Sequence, residues 1–255
     1  MKLKTLLLIV VSVVLLTSCD DNEKLTEVIE KLIPVPLTEG EVVEGLKEAL
    51  VNGATNSSKI LSVVDGYYGD ELVKILLPDE AKVIVDNISR IPGGDKLVQD
   101  VILSINRAAE DAAKDGAPIF VNSITQMTVI DGFNILRGAD NAATKYLEGT
   151  TYDDLHALYK PKIEASTGKA VIGNLSTTDS WNTLTGTWNS FANSIAGSLL
   201  GFEPVNTDLN DFLTRKALDG IFLKVAGEEF KIRKDVNARV SPLLQRVFGS
   251  LDGGN

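Results

Sequence analysis

Apolar residues recur every three or four positions along most of this chain, which is the spacing of helices with one buried face. One predicted helix begins after a capping-box spacing at residues 38–41. The other predicted helices cover residues 70–77, 78–90, 96–114, 119–127, 128–138, 141–148, 151 onward, 179–199, 206–234 and 242–248. We find no convincing β alternation and no repeat of fixed period. The sequence therefore predicts an all-α fold, an irregular multi-helix bundle.

Glycine, proline and capping residues set several of the predicted helix ends. Gly149 is expected to end one helix, and Thr151 with Asp154 has the spacing of a capping box for the next. Pro161 either starts a new helix or kinks the one before it. Two separate helices are therefore predicted where the chain passes residues 149–151.

Two sets of side chains fall on single helix faces. Gly45, Ala49 and Gly53 are four residues apart, which predicts close packing of that helix against a neighbour. Trp181 and Trp188 are seven residues apart and share a face in a segment rich in Ser, Thr, Asn and Gly. The pattern gives no role for this tryptophan pair beyond their shared face.

The first residues have the pattern of an export signal. Lys2 and Lys4 precede an apolar run at residues 6–16 that only Ser12 interrupts. As a helix this run would span roughly 16 Å, about half of a bilayer core, so it is too short for a transmembrane helix. Residues 1–18 are therefore predicted to be a cleaved signal peptide.

The tetrapeptide that ends this run, Leu16-Thr17-Ser18-Cys19, has the form of a lipobox, and Cys19 is the chain's single cysteine. In a lipoprotein the thiol at this position accepts diacylglycerol, and fatty acyl chains such as palmitate then hold the protein at the membrane. Two or three chains make release very slow, because each buried methylene contributes about 0.8 kcal/mol. The alternatives are an ordinary cysteine beside a normal cleavage site and an uncleaved apolar anchor.

The predicted lipoprotein has a simple domain order and an envelope location. Residues 19–37 form a lipid anchor and a tether stiffened by Pro34 and Pro36, residues 38–250 form a single helical domain, and residues 251–255 form a polar tail. The domain is expected in the periplasm or at the outer surface. Asp20 follows the acylated position, and bacteria read an aspartate there in different ways, so inner and outer membrane both remain open.

The charge of the chain limits its partners. Its net charge is −10, and removal of residues 1–18 takes away two lysines and no acids, which leaves −12. A chain this acidic is not expected to bind nucleic acid, and anionic headgroups repel it. We therefore expect the lipid on Cys19 to hold the protein at the membrane. The other expected partner is an unknown envelope protein or an apolar ligand.

Catalytic signatures are scarce. His156 is the only histidine, so both a zinc site and Ser-His-Asp chemistry would depend on it, and a single histidine on a helix more often serves the surface or the structure. The sequence has no Gly-x-Ser-x-Gly elbow and no phosphate-binding glycine loop. We therefore expect no metal, no cofactor and no enzymatic activity.

Three polar groups of residues remain as candidates for a site or for structural ion pairs. They are Asn106, Arg107 and Glu110; Arg137 with Asp140; and Asp219, Glu228, Glu229 and Arg233. Arg107 and Glu110 are three residues apart and can pair on a helix, and Arg137 could reach carbonyls freed at a helix end. A carboxylate hydrolase would instead need Glu110 to meet Asp219 or Glu228 in a concave pocket.

Several of these residues lie in a set of short motifs that follow one another along the chain: Gly45-Leu46-Lys47-Glu48-Ala49-Leu50, Ser104-Ile105-Asn106-Arg107-Ala108-Ala109-Glu110, Pro118-Ile119-Phe120, Ile135-Leu136-Arg137-Gly138, Ala142-Ala143-Thr144-Lys145-Tyr146, Lys216-Ala217-Leu218-Asp219-Gly220, Glu228-Glu229 and Lys231-Ile232-Arg233. In this order the motifs resemble a bacterial family of unknown function, numbered 4197, of exported helical proteins. The resemblance spans residues 41–248. It implies an all-helical fold and an envelope location, and it carries over no activity and no catalytic residue.

These observations favour a binding or scaffold lipoprotein that presents a helical groove to an envelope partner or an apolar ligand. A carboxylate-based hydrolase of the envelope and a purely structural role in envelope maintenance are the alternatives.

Overall fold

The computed structural model describes residues 36–87, 93–172 and 174–252, so the predicted signal peptide, the lipobox, Cys19 and most of the tether lie outside the described residues. Within these ranges the chain forms ten α-helices and two 3-10 turns, Asp79–Ala81 and Val236–Ala238. The helices are α1 (Glu39–Leu61), α2 (Lys82–Asn87), α3 (Gly94–Ala113), α4 (Gly116–Gln126), α5 (Gly132–Leu136), α6 (Ala142–Thr167), α7 (Thr177–Ala192), α8 (Ile195–Leu199), α9 (Leu209–Lys234) and α10 (Pro242–Gly249). The predicted all-α, multi-helix fold is confirmed.

The long helices α1 and α9 pack along each other at the centre of the bundle. Helix α6 covers α9, α4 and α10 cover α1, and α3 lies between α6 and α7. The predicted close packing of the α1 glycines is confirmed. A Cβ atom on Gly45 would be 2.7 Å from Cγ2 of Val247 on α10, and one on Gly53 would be 3.3 Å from Cγ1 of Val225 on α9.

Helix α6 corrects the predicted break at residues 149–151. It runs without interruption through Gly149 and Pro161. Thr151 does not cap a new helix, because its hydroxyl donates to the carbonyl of Leu147, 2.6 Å away, inside the continuous helix. Leu155, Tyr159 and Ile163 are buried along one face, so packing against α3 and α9 sustains the helix despite a glycine and a proline on its exposed side.

The connection between α1 and the first 3-10 turn also differs from the prediction. Residues 70–77 form turns and extended chain instead of a short helix. Asp70 accepts a hydrogen bond from the backbone N–H of Leu72, and Asn106 on α3 accepts one from that of Ile75. Side chains therefore take the donors that a helix would have used. Of the helix predicted at 78–90, a 3-10 turn and α2 appear, and the part beyond residue 87 lies outside the described residues.

A small hairpin separates α6 from α7, although no strand was predicted. Strand β1 (Ala170–Ile172) pairs antiparallel with β2 (Leu175–Ser176). Ser176 then makes a capping box with Asp179, which starts α7 at Thr177. The helix predicted at 179–199 is divided, because the side chain of Ser194 accepts from the N–H of Gly197 and starts the separate helix α8.

Candidate functional site

The first polar group, on α3, holds the connection that follows α1. Oε1 of the buried Glu110 accepts hydrogen bonds from the backbone N–H groups of Tyr67 and Tyr68, at 3.2 and 3.1 Å. Its other oxygen accepts from Arg107 at 2.6 Å, and Arg107 reaches Asp65 at 2.8 Å. The predicted Arg107–Glu110 pair is therefore formed, and it anchors the turn at residues 65–68.

Asn106 extends the same anchor to the end of this connection. Its amide group is fully buried and bonds both to the N–H of Ile75, at 2.9 Å, and to the carbonyl of Ile75, at 2.7 Å. The amide also donates to the carbonyl of Ile102 at 2.7 Å. The side-chain amide of Asn106 thus bonds to both the N–H and the carbonyl of Ile75, as a neighbouring β-strand would. Asn106 therefore has a structural role.

The polar group formed by Glu229 and Arg233 joins three helices. Glu229 and Arg233 are buried on α9, and their side chains are 2.7 Å apart. The carboxylate of Glu229 accepts from the N–H groups of Ala143 and Thr144, at 3.0 and 2.7 Å, in the first turn of α6. A negative charge at the N-terminus of a helix is favourable there, because the helix dipole is positive at that end.

The guanidinium of Arg233 completes the same junction at the end of α5. It donates to the carbonyl of Leu136 at 2.5 Å and to that of Ile135 at 3.1 Å. These are the freed carbonyls that Arg137 was expected to reach. The exposed Arg137 lies instead over the ring of Phe133, with 5.1 Å between the guanidinium carbon and the ring centroid. The ion pair with Glu229, one turn earlier on α9, positions the Arg233 guanidinium for these two hydrogen bonds.

The carboxylates that a hydrolase would need do not meet. Glu110 is paired with Arg107, and Glu228 accepts from Asn56 at 2.8 Å and from Lys231 at 2.5 Å. The remaining two acids pair on the surface: Asp219 with Lys216 at 3.6 Å, and Asp140 with Lys234 at 2.8 Å. The hydrolase hypothesis required Glu110 to meet Asp219 or Glu228, and each of these three acids is instead paired separately. Asp140 and Glu228 do line one groove, beside α9, but each is paired there with a lysine.

Two buried residues that matter here were not identified from the sequence. Arg239 donates to the carbonyls of Ile232 and Arg233, at 2.9 and 3.1 Å, and pairs with Asp252, so it closes the end of α9. Tyr67 is fully buried, and its hydroxyl donates to the carbonyl of Ala217 at 2.8 Å. Neither position lies in a regular helix, so helical spacing could not have revealed them. An arginine shortly after a helix end was the only available signal.

Electrostatic effects within these groups are consistent with structural roles. Burial raises the pKa of the Tyr67 hydroxyl well above its usual value, and the nearby Tyr159, Glu110 and Asp219 raise it further. Burial alone would lower the pKa of Arg107, but its hydrogen bonds to Glu110 and Asp65 outweigh that effect and raise it. Both groups therefore keep their protons at neutral pH and are poorly suited to proton transfer.

His156 contributes to the contact between α6 and α9. Its Nε2 atom lies 3.1 Å from Oδ1 of Asp211, without the angle of a hydrogen bond, and its ring stacks near Tyr152. Among the described residues, no group of three or more His, Cys, Asp or Glu side chains could hold a metal ion.

An open and largely apolar groove lies beside α9. Its volume is about 650 Å³. We call it the α9 groove and define its apolar lining as Ile60, Leu72, Leu223, Ala226, Gly227 and Phe230. The four large side chains in this set are 46–77% exposed.

The side chains in the middle of the α9 groove are small. Leu223 and Phe230 are seven residues apart, two helical turns, and Ala226 and Gly227 lie between them. A Cβ atom on Gly227 would meet nothing within 4 Å, so the packing of the bundle does not require a glycine there. A glycine inside a helix costs about 1 kcal/mol relative to alanine.

The charges at the rim of the α9 groove are already neutralised within the chain. Lys224 pairs with Asp70, Lys231 pairs with Glu228, and Lys234 pairs with Asp140. A molecule in the α9 groove would therefore contact apolar side chains, beside lysines that are already paired with carboxylates of this chain.

A second groove lies between α4 and α6 and has a volume of about 700 Å³. Most of its lining residues carry an amide, hydroxyl or carboxylate group, and Met127, Ile130, Ala157 and Leu158 lie among them. It is larger than the α9 groove and more polar, so it offers a weaker apolar contact.

The helices described here, from residues 36–87, 93–172 and 174–252, include none with the length and apolar character to cross a bilayer. Together the fold and the site define an all-α bundle whose buried ion pairs bind helix ends and whose surface carries an apolar groove beside α9. The chain belongs to the family described as "Protein of unknown function (DUF4197)", which matches residues 36–249. The curated proteins and the solved structures gave no match to it.

Proposed function

We propose that this protein is a noncatalytic binding module of the bacterial envelope, held at a membrane by lipid on Cys19, and that its α9 groove binds an amphipathic helix of another envelope protein. The observation that carries the proposal is the α9 groove itself: four large apolar side chains, more than two-fifths exposed, around a glycine that the domain does not need.

The shape of the groove favours a helix over a small apolar molecule. Pockets for small molecules usually enclose 70–90% or more of the ligand surface. Here the lining side chains stay open to water, so a small lipid would remain largely exposed. A helix brings its own polar outer face, and its apolar face needs only a shallow groove. The distance from Leu223 to Phe230, about 10 Å along α9, corresponds to two turns of such a helix.

The small residues Ala226 and Gly227 in the middle of the α9 groove also favour a helix as the bound partner. Helices cross at 8–10 Å, and the smaller side chains at the contact allow the closer distances. Gly227 would let a partner backbone approach α9 directly, which gives a reason for a residue that otherwise costs stability.

The closed ion pairs at the rim predict the character of the interaction. With Lys224, Lys231 and Lys234 already paired, the binding free energy would come from apolar burial and not from new salt bridges. Binding should therefore change little between low and high salt, unlike an interaction driven by charge.

The envelope location rests on the export pattern and on the lipobox at residues 16–19. Mass spectrometry of protein purified from the producing bacterium should find a mature chain that begins at acylated Cys19. A chain that retains residues 1–18, or one with a bare thiol, would contradict this part of the proposal.

The groove is tested with one substitution that fills it. Gly227→Leu adds a side chain into open space, so we expect the protein to fold with unchanged cooperativity and to lose the proteins that co-purify with the wild type from bacterial membranes. Gly186→Leu is the matched control, because Gly186 is also an exposed glycine inside a helix with nothing within 4 Å of a Cβ atom.

A partner recovered with the wild type and with Gly186→Leu but not with Gly227→Leu supports the proposal. Equal recovery with all three proteins contradicts it. An apolar small molecule or a second copy of this chain bound in the groove, detected by native mass spectrometry, would also contradict the assignment of a partner helix.

A further inference from the structure

A stretch of 23 residues, 180–202, contains no charged side chain and no histidine, although 24% of all residues in the chain are charged. It covers most of α7, all of α8 and the turn that follows. A solvated helical surface of an acidic protein normally carries charges at short intervals, so this stretch is a distinct uncharged region.

The most exposed large apolar side chains of this region lie on the short helix α8. Ile195 and Leu199 are 84% and 83% exposed, and their spacing of four places them on the same face. Leu200, directly after α8, is also exposed. We call these three residues the α8 tip.

The α8 tip is held rigidly on an aromatic base. A Cβ atom on Gly197 would be 2.2 Å from the carbonyl oxygen of Phe191, so only a glycine permits α8 to sit this close to α7. Trp188 lies 5.8 Å from Phe191 and 5.2 Å from Phe202, measured between ring centroids. The tip is therefore a fixed feature of the fold and not a loosely attached loop.

We propose that the α8 tip is a lipid-contact site, at which Ile195, Leu199 and Leu200 enter the interfacial layer of a bilayer. This goes beyond the proposed partner groove and rests on different residues. A net charge of −10 repels anionic headgroups, so the uncharged region is the part of the surface that can approach a membrane at low electrostatic cost.

The size of the tip favours a lipid surface over a protein partner. A stable protein–protein interface buries about 800 Å² on each side. A five-residue helix is about 7.5 Å long, and three aliphatic side chains on it supply only a fraction of that area. A bilayer requires neither a large matched area nor paired charges, because apolar side chains enter it independently.

Trp188 provides a built-in probe, since it lies beneath the tip and Trp181 is the only other tryptophan. The full chain with Trp181→Phe is reconstituted in phosphatidylcholine vesicles whose acyl chains carry bromine close to the headgroups, a quencher that acts only over short distances. We expect a loss of Trp188 fluorescence relative to unbrominated vesicles. We also expect Ile195→Asn with Leu199→Asn to abolish this loss.

The control is Val240→Asn, which removes a valine that is 75% exposed on another part of the domain and lies outside the α9 groove. It should leave the quenching unchanged, and circular dichroism should show that all variants are folded. The proposal is overturned if the parent shows no quenching, if Ile195→Asn with Leu199→Asn leaves it intact, or if Val240→Asn abolishes it as well. Quenching that appears only when a second membrane protein is present would assign the tip to that protein and would also overturn it.

Discussion

Charged side chains in the interior of this domain bind the ends of backbone segments. Glu110 accepts from two consecutive N–H groups in the turn after α1, and Glu229 accepts from two consecutive N–H groups at the start of α6. Arg233 and Arg239 bind carbonyl groups at the ends of α5 and α9. Backbone groups buried at helix ends need partners, and these residues supply them.

Replacement of Glu229 tests this role. Glu229→Gln would leave Arg233 charged, buried and without its anion, and breaking a buried pair costs about 3–5 kcal/mol. Urea unfolding should show a loss of free energy of unfolding of that order. Asp219→Asn, the same carboxylate-to-amide change on the exposed side of α9, should cost less than about 1 kcal/mol. Equal effects of the two substitutions would show that burial of the pair does not matter.

Asp111 gives a prediction about pH. Burial tends to raise the pKa of this carboxyl, but hydrogen bonds from Lys169, Lys114 and Ser166 outweigh that effect and lower it from 3.8 to about 2. A carboxyl with a lowered pKa in the folded state contributes stability above its unfolded pKa and loses it as the pH falls.

The contribution of Asp111 should therefore be present at pH 5 and disappear between about pH 4 and pH 2, with a size of about 1 kcal/mol after screening by solvent. Urea unfolding of wild type and Asp111→Asn across this range would measure it. The stability difference between the two proteins should shrink as the pH falls. A constant difference from pH 5 to pH 2.5 would rule out this linkage.

The sequence revealed these residues only in part. The Arg107–Glu110 pair follows from a spacing of three on one helix, and the structure contains it. Arg137 was the arginine nearest in sequence to the end of α5, yet Arg233, about 97 positions later, binds those carbonyls. Contacts across such separations depend on how α9 packs, which helical spacing along one segment does not determine.

At the scale of elements, the sequence predicted well the helices whose starts carry local capping signals. It did not predict the length of a helix that is maintained by tertiary packing. The last two helices, α9 and α10, were predicted within three residues at each end, because Asp208, Ser241 and Pro242 are local start signals. Helix α6 was divided in the prediction because glycine and proline are local breakers. Its buried face outweighs them.

Two glycines on different helices should respond in opposite ways to the same substitution. Gly149→Ala adds a methyl group to open space in α6, and we expect it to stabilise the protein by about 0.5–1 kcal/mol through helix propensity. Gly45→Ala places a Cβ atom 2.7 Å from Val247, and we expect it to destabilise the protein by about 1–3 kcal/mol through overpacking. Urea midpoints that move in the same direction would contradict this account of α1 and α10.

At the scale of the whole molecule, the proposed binding surfaces and the contacts that hold the fold use different residues. Buried polar residues of the family motifs, such as Glu110, Glu229 and Arg233, bind backbone groups, whereas the α9 groove and the α8 tip consist of apolar side chains left exposed. The sequence alone could not locate the groove, because Ile60 and Leu72 lie far in sequence from Leu223 and Phe230, and Leu72 belongs to a connection that had been predicted to be helical. It predicted only that a helical groove would face an envelope partner or an apolar ligand.

Salt dependence provides a check at this scale. If the rim ion pairs stay closed, the dissociation constant of the partner should change less than about threefold between 50 mM and 500 mM salt, because no net charge pairs form on binding. Isothermal titration of the purified partner would measure it. A tenfold weakening in high salt would indicate that Lys224 or Lys231 pairs with the partner instead of with Asp70 or Glu228.

The most direct test of the partner groove is photo-cross-linking in living cells from a light-activated amino acid at position 230, compared with one at position 158 in the groove between α4 and α6. Phe230 and Leu158 are each about half exposed, so both positions accept the probe without disturbing the core. We predict cross-links from position 230 to a single apolar face of a helical segment in another envelope protein, and none to that segment from position 158. Cross-links to that segment from both positions alike, or none from position 230, would contradict the account.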